Sequence, residues 1–369
     1  MRTTAVMLAM IGVLALIPGP ATAAIYYVRT DGNDANSGLA SDSGNAWATL
    51  QQAADTMVAG DLCYVAPGTH SASRVNPANA GTPADPIIFS GDPAGSQFAD
   101  IGAGIVSVGH QSNQTWWIED GDDYITIENM TIEGSSYSGV FSAGDGLTVR
   151  HCQITGGSGS DVVTSWAGKV VPDWEIAHNV IYGGRAGVNL YKTGTGSANI
   201  SIHDNLIRDC TGGANDNGVG VWRSPSGQNF VVSNLDIVNN TIVNCSTALQ
   251  LDGYTEAEIY SNILDGPVTC VDTELTLVND YNDVTGALTN YTLGANSTTV
   301  DPGLDASYYP SAAEVVDSGS NAAVLSSVDL YGNARIQGGT VDMGAVETPE
   351  PATLALLSLG GLALVRRRR

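Results

Sequence analysis

The chain holds only two lysines, Lys169 and Lys192, and both fall in a window that also carries Arg150, Arg185, Arg208 and Arg223. The protein around them is strongly acidic, with 14 Lys+Arg against 38 Asp+Glu and a formal net charge of -24. Cations gathered into one stretch of such a chain point to an anionic ligand rather than to solubility. Two of them end closely similar hexapeptides, GVNLYK (187–192) and GVGVWR (218–223), each directly after an aromatic residue, Tyr191 and Trp222. Trp166 ends a third such segment, VVTSW (162–166). An aromatic ring beside a cation suits an acidic sugar, because the sugar stacks on the ring while the planar fork of Arg grips its carboxylate. The candidate binding set is therefore Tyr191, Trp222, Trp166, Lys169 and Arg185, around the two cations Lys192 and Arg223. The blander reading is that these cations relieve repulsion and the rings pack under loops.

Two oxygen-rich loops offer a second chemistry. Asp31, Asn33, Asp34 and Asn36 form one, and Glu119, Asp120, Asp122 and Asp123 the other. Calcium takes roughly six to eight oxygen ligands, of which such a loop can supply several. Neither has EF-hand spacing, and both also read as ordinary Asx-rich turns. His178 and His203 have the chemistry of general acids or bases, but no charge partner is evident in the sequence, and they read better as outward turn residues. Asp161, Asp204, Asp216 and Asp252 are scattered carboxylates without a hydrolase signature. The five cysteines, Cys63, Cys152, Cys210, Cys245 and Cys270, show no zinc-type spacing and read as small buried hydrophobes. The negative charge excludes nucleic acid as a partner.

What would hold these side chains in place is a repeat. One octet recurs seven times: ITIENMTI (125–132), LTVRHCQI (147–154), WEIAHNVI (174–181), ISIHDNLI (200–207), LDIVNNTI (235–242), AEIYSNIL (257–264) and LTLVNDYN (275–282). Positions one and three are apolar in nearly every copy, the alternation of a strand buried on one face. Position six is Met130, Cys152, Asn179, Asn205, Asn240, Asn262 and Asp280. The starts lie 22, 27, 26, 35, 22 and 18 residues apart. A helical repeat would lose phase under such variation, whereas a strand–turn coil lets extra residues bulge out as loops. A second strand follows most octets, as GVFS (139–142), VVTSW, GVNLYK, GVGVWR and ALQLDG (248–253). The pattern predicts coils of about three short strands stacked ~4.8 Å apart. Asn at position six is the expected turn device, tolerating a left-handed conformation and bonding to the amide one coil away. Tyr191-Lys192 and Trp222-Arg223 would then stack on consecutive coils, with Trp166 on the coil before.

These octets and their companion strands resemble the right-handed parallel β-helix of the pectate-lyase-like superfamily over roughly residues 25 to 290. YYVRTDGNDANSG (26–38) and WATLQQAADTMVAGDLCYVAPGTH (47–70) are similar to the N-terminal lead-in of such proteins. Trp47, Leu50, Ala54 and Met57 at helical spacing predict a helix whose apolar face covers the open end of the first coil. The expected fold is thus all-β, a single right-handed parallel β-helix with an N-terminal capping helix. Residues 300 to 347 resemble a "choice-of-anchor" segment and are expected to close the far end. The resemblance implies polysaccharide chemistry on the outer face of one sheet. One form is β-elimination, in which Lys or Arg takes the proton beside a uronate carboxylate, often with calcium; the other is hydrolysis by paired carboxylates. For elimination, Lys192 would be the base, its pKa lowered by Arg223 one coil away, and Arg223 would hold the carboxylate. The chain departs from these families in lacking a Gly-His-Gly or Arg-x-Lys motif and the signature of any particular pectate lyase group. A non-catalytic structural or adhesive surface protein is therefore the rival class.

Both ends read as addresses. Residues 1–24 combine Arg2, an apolar run from Ala5 to Ile17 and the small-x-small site Ala21-Thr22-Ala23, the pattern of a signal peptide. PEPATLALLSLGGLALVRRRR (349–369) resembles the PEP-CTERM sorting signal of Gram-negative bacteria. Its apolar run, Leu354 to Val365, spans about 18 Å as a helix, short of a ~30 Å hydrocarbon core, and ends in four arginines. The resemblance implies transient membrane association through the tail, cutting within or beside Pro-Glu-Pro by a membrane sortase-like protease, and delivery to the cell surface, outer membrane or extracellular matrix. Without both ends the chain keeps 9 Lys+Arg and 37 Asp+Glu, a charge of -28. The expected plan is a signal peptide (1–24), a capped β-helix (25–299), a closing segment (300–348) and a sorting tail (349–369), built to recognise an acidic polysaccharide and, if enzymatic, to cleave it by β-elimination, with calcium as the one cofactor considered.

Overall fold

The computed structural model describes residues 23–71, 74–110, 113–134, 136–191, 196–211, 217–222, 231–252, 254–271 and 276–349. The expected signal peptide up to residue 22 and the sorting tail from 350 onward lie outside the described residues, and no described helix is long and apolar enough to cross a membrane.

The chain visits three parallel sheets in turn, A, B and C, of ten, nine and eight strands, so neighbours within a sheet are one coil apart. The alternation read in the octets supplies the interior. In sheet A, Ile127, Val149, Ile176, Ile202, Ile237 and Ile259 pair in register on successive coils, all fully buried. Ile132, Ile154, Ile181, Ile207, Ile242 and Leu264 do the same in sheet B. Trp116, Val140, Val163, Val188, Val219 and Leu249 form the column of sheet C. The three columns meet in one continuous core. At about 1.5–3 kcal/mol per buried aliphatic side chain, this core is what each coil gains by stacking on the next. All five cysteines are buried, as expected. The architecture is a right-handed parallel β-helix.

The corner between sheets A and B is built by two adjacent residues with separate tasks. Position five adopts the left-handed conformation on the seven octet coils: Asn129, His151, His178, Asp204, Asn239, Ser261 and Tyr281 have φ between 52° and 59°. Position six carries the ladder. Asn205 Oδ1 accepts from the backbone N–H and the Nδ2 of Asn179, both at 3.0 Å, and Asn205 Nδ2 donates to Ile176 O at 2.7 Å and to Asn240 Oδ1 at 3.0 Å. The same pattern runs through Asn240, Asn262 and Asn282, each fully buried. The expected left-handed role of the ladder Asn is thus corrected: that role belongs to the residue before it. The last octet is corrected too. Leu277, not Leu275, pairs with Ala257, which seats Asn282 in the ladder and turns Asp280 outward on sheet A.

At the N-terminal end, the helix Leu50–Thr56 is capped by Thr49, whose side chain accepts from Gln52 N. Its Leu50, Ala53 and Ala54, with Met57 just beyond, join the main core. Trp47 lies before the helix, bridges Val28 at the edge of sheet A and stacks on Tyr26 at 4.6 Å. The C-terminal segment does not simply close the far end. Tyr291 and Leu293 pack there, but the chain then turns back along the outer face of sheet B, where Leu330, Ala345 and Val346 pack on Leu206 and Val243. Ala345 N donates to Thr241 Oγ1 at 2.9 Å.

Candidate functional site

Of the aromatic residues singled out above, Trp166 and Tyr191 lie at outward positions of sheet C. Its inward column leaves the alternate residues pointing out, and Trp117, Phe141, Thr164, Asn189 and Gly220 pair in register there. Trp117 and Phe141 stack at 4.7 Å with rings 14° apart. Trp166 lies against both, at 5.1 and 5.7 Å. The Arg74 guanidinium sits 4.3 Å over the Trp117 ring. Tyr191, level with Trp166 by the register of their strands, is half-buried and pairs with Trp222. Lys192 and Arg223 follow directly on these strands but lie outside the described residues.

The other two cations of the expected set have carboxylate partners. Arg185 holds Asp161 through both oxygens, Nε to Oδ1 at 2.8 Å and Nη2 to Oδ2 at 2.9 Å, and Asn189 Nδ2 adds a third bond at 2.7 Å. Lys169 Nζ lies 2.7 Å from Asp120 Oδ2. Asp161 is thus buried at the centre of a polar cluster with Arg185, Thr164 and Asn189, whose buried Oδ1 has no partner among the described residues. The sequence reading missed Trp117 and Phe141 as ring partners, and missed Asp161 as the mate of Arg185. Both were encoded in the coil register, which sets residues about 24 positions apart side by side.

The His residues also differ from expectation. His203 has two charge partners, Asp204 Oδ2 at 2.8 Å from Nδ1 and Glu175 Oε1 at 3.4 Å from Nε2. Burial alone would lower its pKa, but these carboxylates outweigh it and push it up to about 9. His178, lowered chiefly by burial, stacks on His151 at 4.9 Å and meets His203 edge-on at 5.7 Å. Ligand atoms of His178, His203 and Asp204 lie within 4.8 Å of one another, a metal-like grouping. Arg335 from the C-terminal segment already places a buried guanidinium 3.2 Å from Asp204 Oδ1, so this group acts as an interior clasp.

The first oxygen-rich loop braces itself. Asp31 pairs with Arg29, Asp34 accepts from Ala48 N, Thr49 N and Thr49 Oγ1, Asn33 from Ala35 N, and Asn36 Nδ2 donates to the Ser43 and Ala46 carbonyls. In the second, Asp122 accepts from Glu119 N, and Asp123 from Asp145 N. A groove of about 560 Å³ on the outer face of sheet A holds a carboxylate pair that sequence reasoning did not single out. Asp236 and Glu258 are register partners there, and burial, then Glu258, raises the Asp236 pKa.

Residues 94–264 match the family model described as "Right handed beta helix region", and residues 347–369 match the PEP-CTERM protein-sorting motif. Among solved structures, XylC in complex with xylose superposes with a TM-score of 0.52 at 11% identity, covering 72% of this chain and 66% of that one. The chain thus spans just under two thirds of XylC. Pectate lyase Pel9A superposes with a TM-score of 0.50 at 13% identity, covering 89% of this chain and 97% of that one. At these identities the likeness is one of fold. No curated protein matches the sequence.

Proposed function

We propose that this right-handed parallel β-helix protein, marked for export from a Gram-negative cell by its PEP-CTERM motif, binds an acidic polysaccharide along the outer face of sheet C. The observation that carries the reading is the ring cluster Trp117–Phe141–Trp166, with Tyr191 at the level of Trp166 on the following coil. The aromatic positions recur on successive coils ~4.8 Å apart, so a glycan laid along the rod would meet them in turn. With Arg185 and Lys169 held by carboxylates and Arg74 lying over the Trp117 ring, we assign Lys192 and Arg223, which follow the aromatic residues in sequence, to the ligand's own charge. In the catalytic form of the reading, Lys192 takes the proton beside a uronate carboxylate and Arg223 grips that carboxylate. That the pectate lyase Pel9A has this fold agrees with such chemistry. Processing of the tail by a membrane sortase-like protease, and delivery to the cell surface or matrix, complete the reading.

The test is a panel of uronate polymers offered to purified protein, following binding and the absorbance of an unsaturated product. Lys192→Ala should abolish elimination while leaving affinity within about tenfold, or 1.4 kcal/mol; Arg223→Ala should weaken binding itself. A double variant indistinguishable from wild type on every polymer would refute the site. Hydrolysis is the second reading, favoured by Asp236 and Glu258, register partners one coil apart that line the groove on sheet A. Product without the unsaturated chromophore, lost in Glu258→Gln, would select it.

A further inference from the structure

We infer that the leader is cut between Ala23 and Ala24, and that the amine so released is received by Asp61 as an internal ion pair. Two independent observations meet at this bond. The small-x-small pattern Ala21-Thr22-Ala23 ends at Ala23. Immediately after it, Ala24 is already built into the fold: its nitrogen lies 2.7 Å from Asp61 Oδ1, and its carbonyl accepts from Leu62 N at 3.0 Å. Ala23 is exposed.

Asp61 is placed as a receptor. The residue is 3% exposed, its Oδ2 accepts from Val58 N at 2.9 Å, and its Oδ1 accepts from Ala24 N. In the uncut chain that bond comes from a neutral amide. Hydrolysis by a leader-cleaving protease adds the hydroxyl of water to the Ala23 carbonyl and leaves Ala24 as an amine, which is an ammonium at neutral pH. The bond then becomes charge-assisted, and a separation of 2.7 Å is in the range of such pairs. Cutting one residue later, at the boundary first expected, would remove Ala24 and leave a buried carboxylate without this partner. Among the described residues, the titratable groups near the pair include the Tyr26 hydroxyl on the first strand, Ile25–Val28, and Asp85, which lies beside Gly60 as Ala23 does. Both are acids, so neither competes as a cation. Maturation would therefore finish the first strand of sheet A, the edge from which the solenoid is stacked.

Two measurements test this on exported protein. Intact mass and N-terminal sequencing should give Ala24 as the first residue; Ile25 or any later start would overturn the inference. Thermal unfolding should then compare mature protein with a form extended by residues before Ala24. The mature form should melt higher at pH 7, and the gap should narrow as pH rises through the pKa of the amine, which Asp61 holds above its ordinary value of about 8. Asp61→Asn should abolish both the gap and its pH dependence. Should that variant fail to fold, Ala24 with an acetylated amine provides the same comparison. A gap that does not narrow as pH is raised, or no gap at pH 7 in a protein that does begin at Ala24, would refute the ion pair.

Discussion

Replacing Asn205 with Leu gives a sharp test of what holds the coils in register. The two side chains are similar in size, so the change deletes hydrogen bonds rather than packing. Asn205 Oδ1 is the acceptor for the Asn179 backbone N–H, and Asn205 Nδ2 serves the Ile176 carbonyl; both atoms sit in a fully buried corner. With Leu in place, neither partner has water to turn to. At about 1–3 kcal/mol for each orphaned group, the loss comes to about 2–6 kcal/mol, a large share of the stability of a typical domain. Because each coil is held by its neighbours, the damage should be local first: amide exchange should accelerate around 176–181 and 200–207 before it does at the two ends. Chemical denaturation with exchange detected by mass spectrometry reads both quantities. An Asn205→Leu variant with the wild-type midpoint and unchanged protection in these coils would show that the ladder does not bear the load assigned to it.

Raising the pH should loosen the clasp beneath the C-terminal segment. Asp204 and Glu175 lift the pKa of His203 above its ordinary 6.5 to about 9, against burial, so the stability it brings is complete below about pH 6.5 and is lost as pH rises through 9. The loss is about 3 kcal/mol by denaturant midpoint, and His203→Gln should flatten the profile; a wild-type curve flat from pH 6 to 10 would contradict it. Trp166→Ala should lower affinity for a bound glycan by about tenfold or more and also lower the melting point, since the half-buried ring packs on Trp117 and Phe141; equal affinities by calorimetry would remove the ring cluster from the site. Mature protein recovered from the native host should lack Arg366–Arg369, and an intact mass that retains them would exclude processing of the tail.

Much of this fold was legible because inward positions one and three of each octet must be apolar, and the corner must carry residues that bond along the stack. What misled was symmetry. A strand pattern has period two, so sliding the last octet from 277 to 275 keeps every side chain on its own face, and only the seating of Asn282 distinguishes the registers. The division of labour at the corner was hidden because Asn suits both tasks, and coils with Asn239-Asn240 show no difference between them. The site was legible in its rings and not in its charges. Nothing local links Asp161 to Arg185, whose meeting depends on the length of one coil. The path of residues 300–348 carries no period at all, so its return along sheet B had no signal in the sequence.

That return path decides how the molecule would bear mechanical load. A pull on the C-terminus reaches Thr348, which is tied to Asp342, and passes into the contacts of Arg335 with Asp204 and of Ala345 with Thr241. Those anchor points belong to the fourth and fifth octets, not to the last coil. Tension therefore enters the rod partway along its length and must shear many bonds together, where a chain leaving from the final coil would let the solenoid peel open one turn at a time.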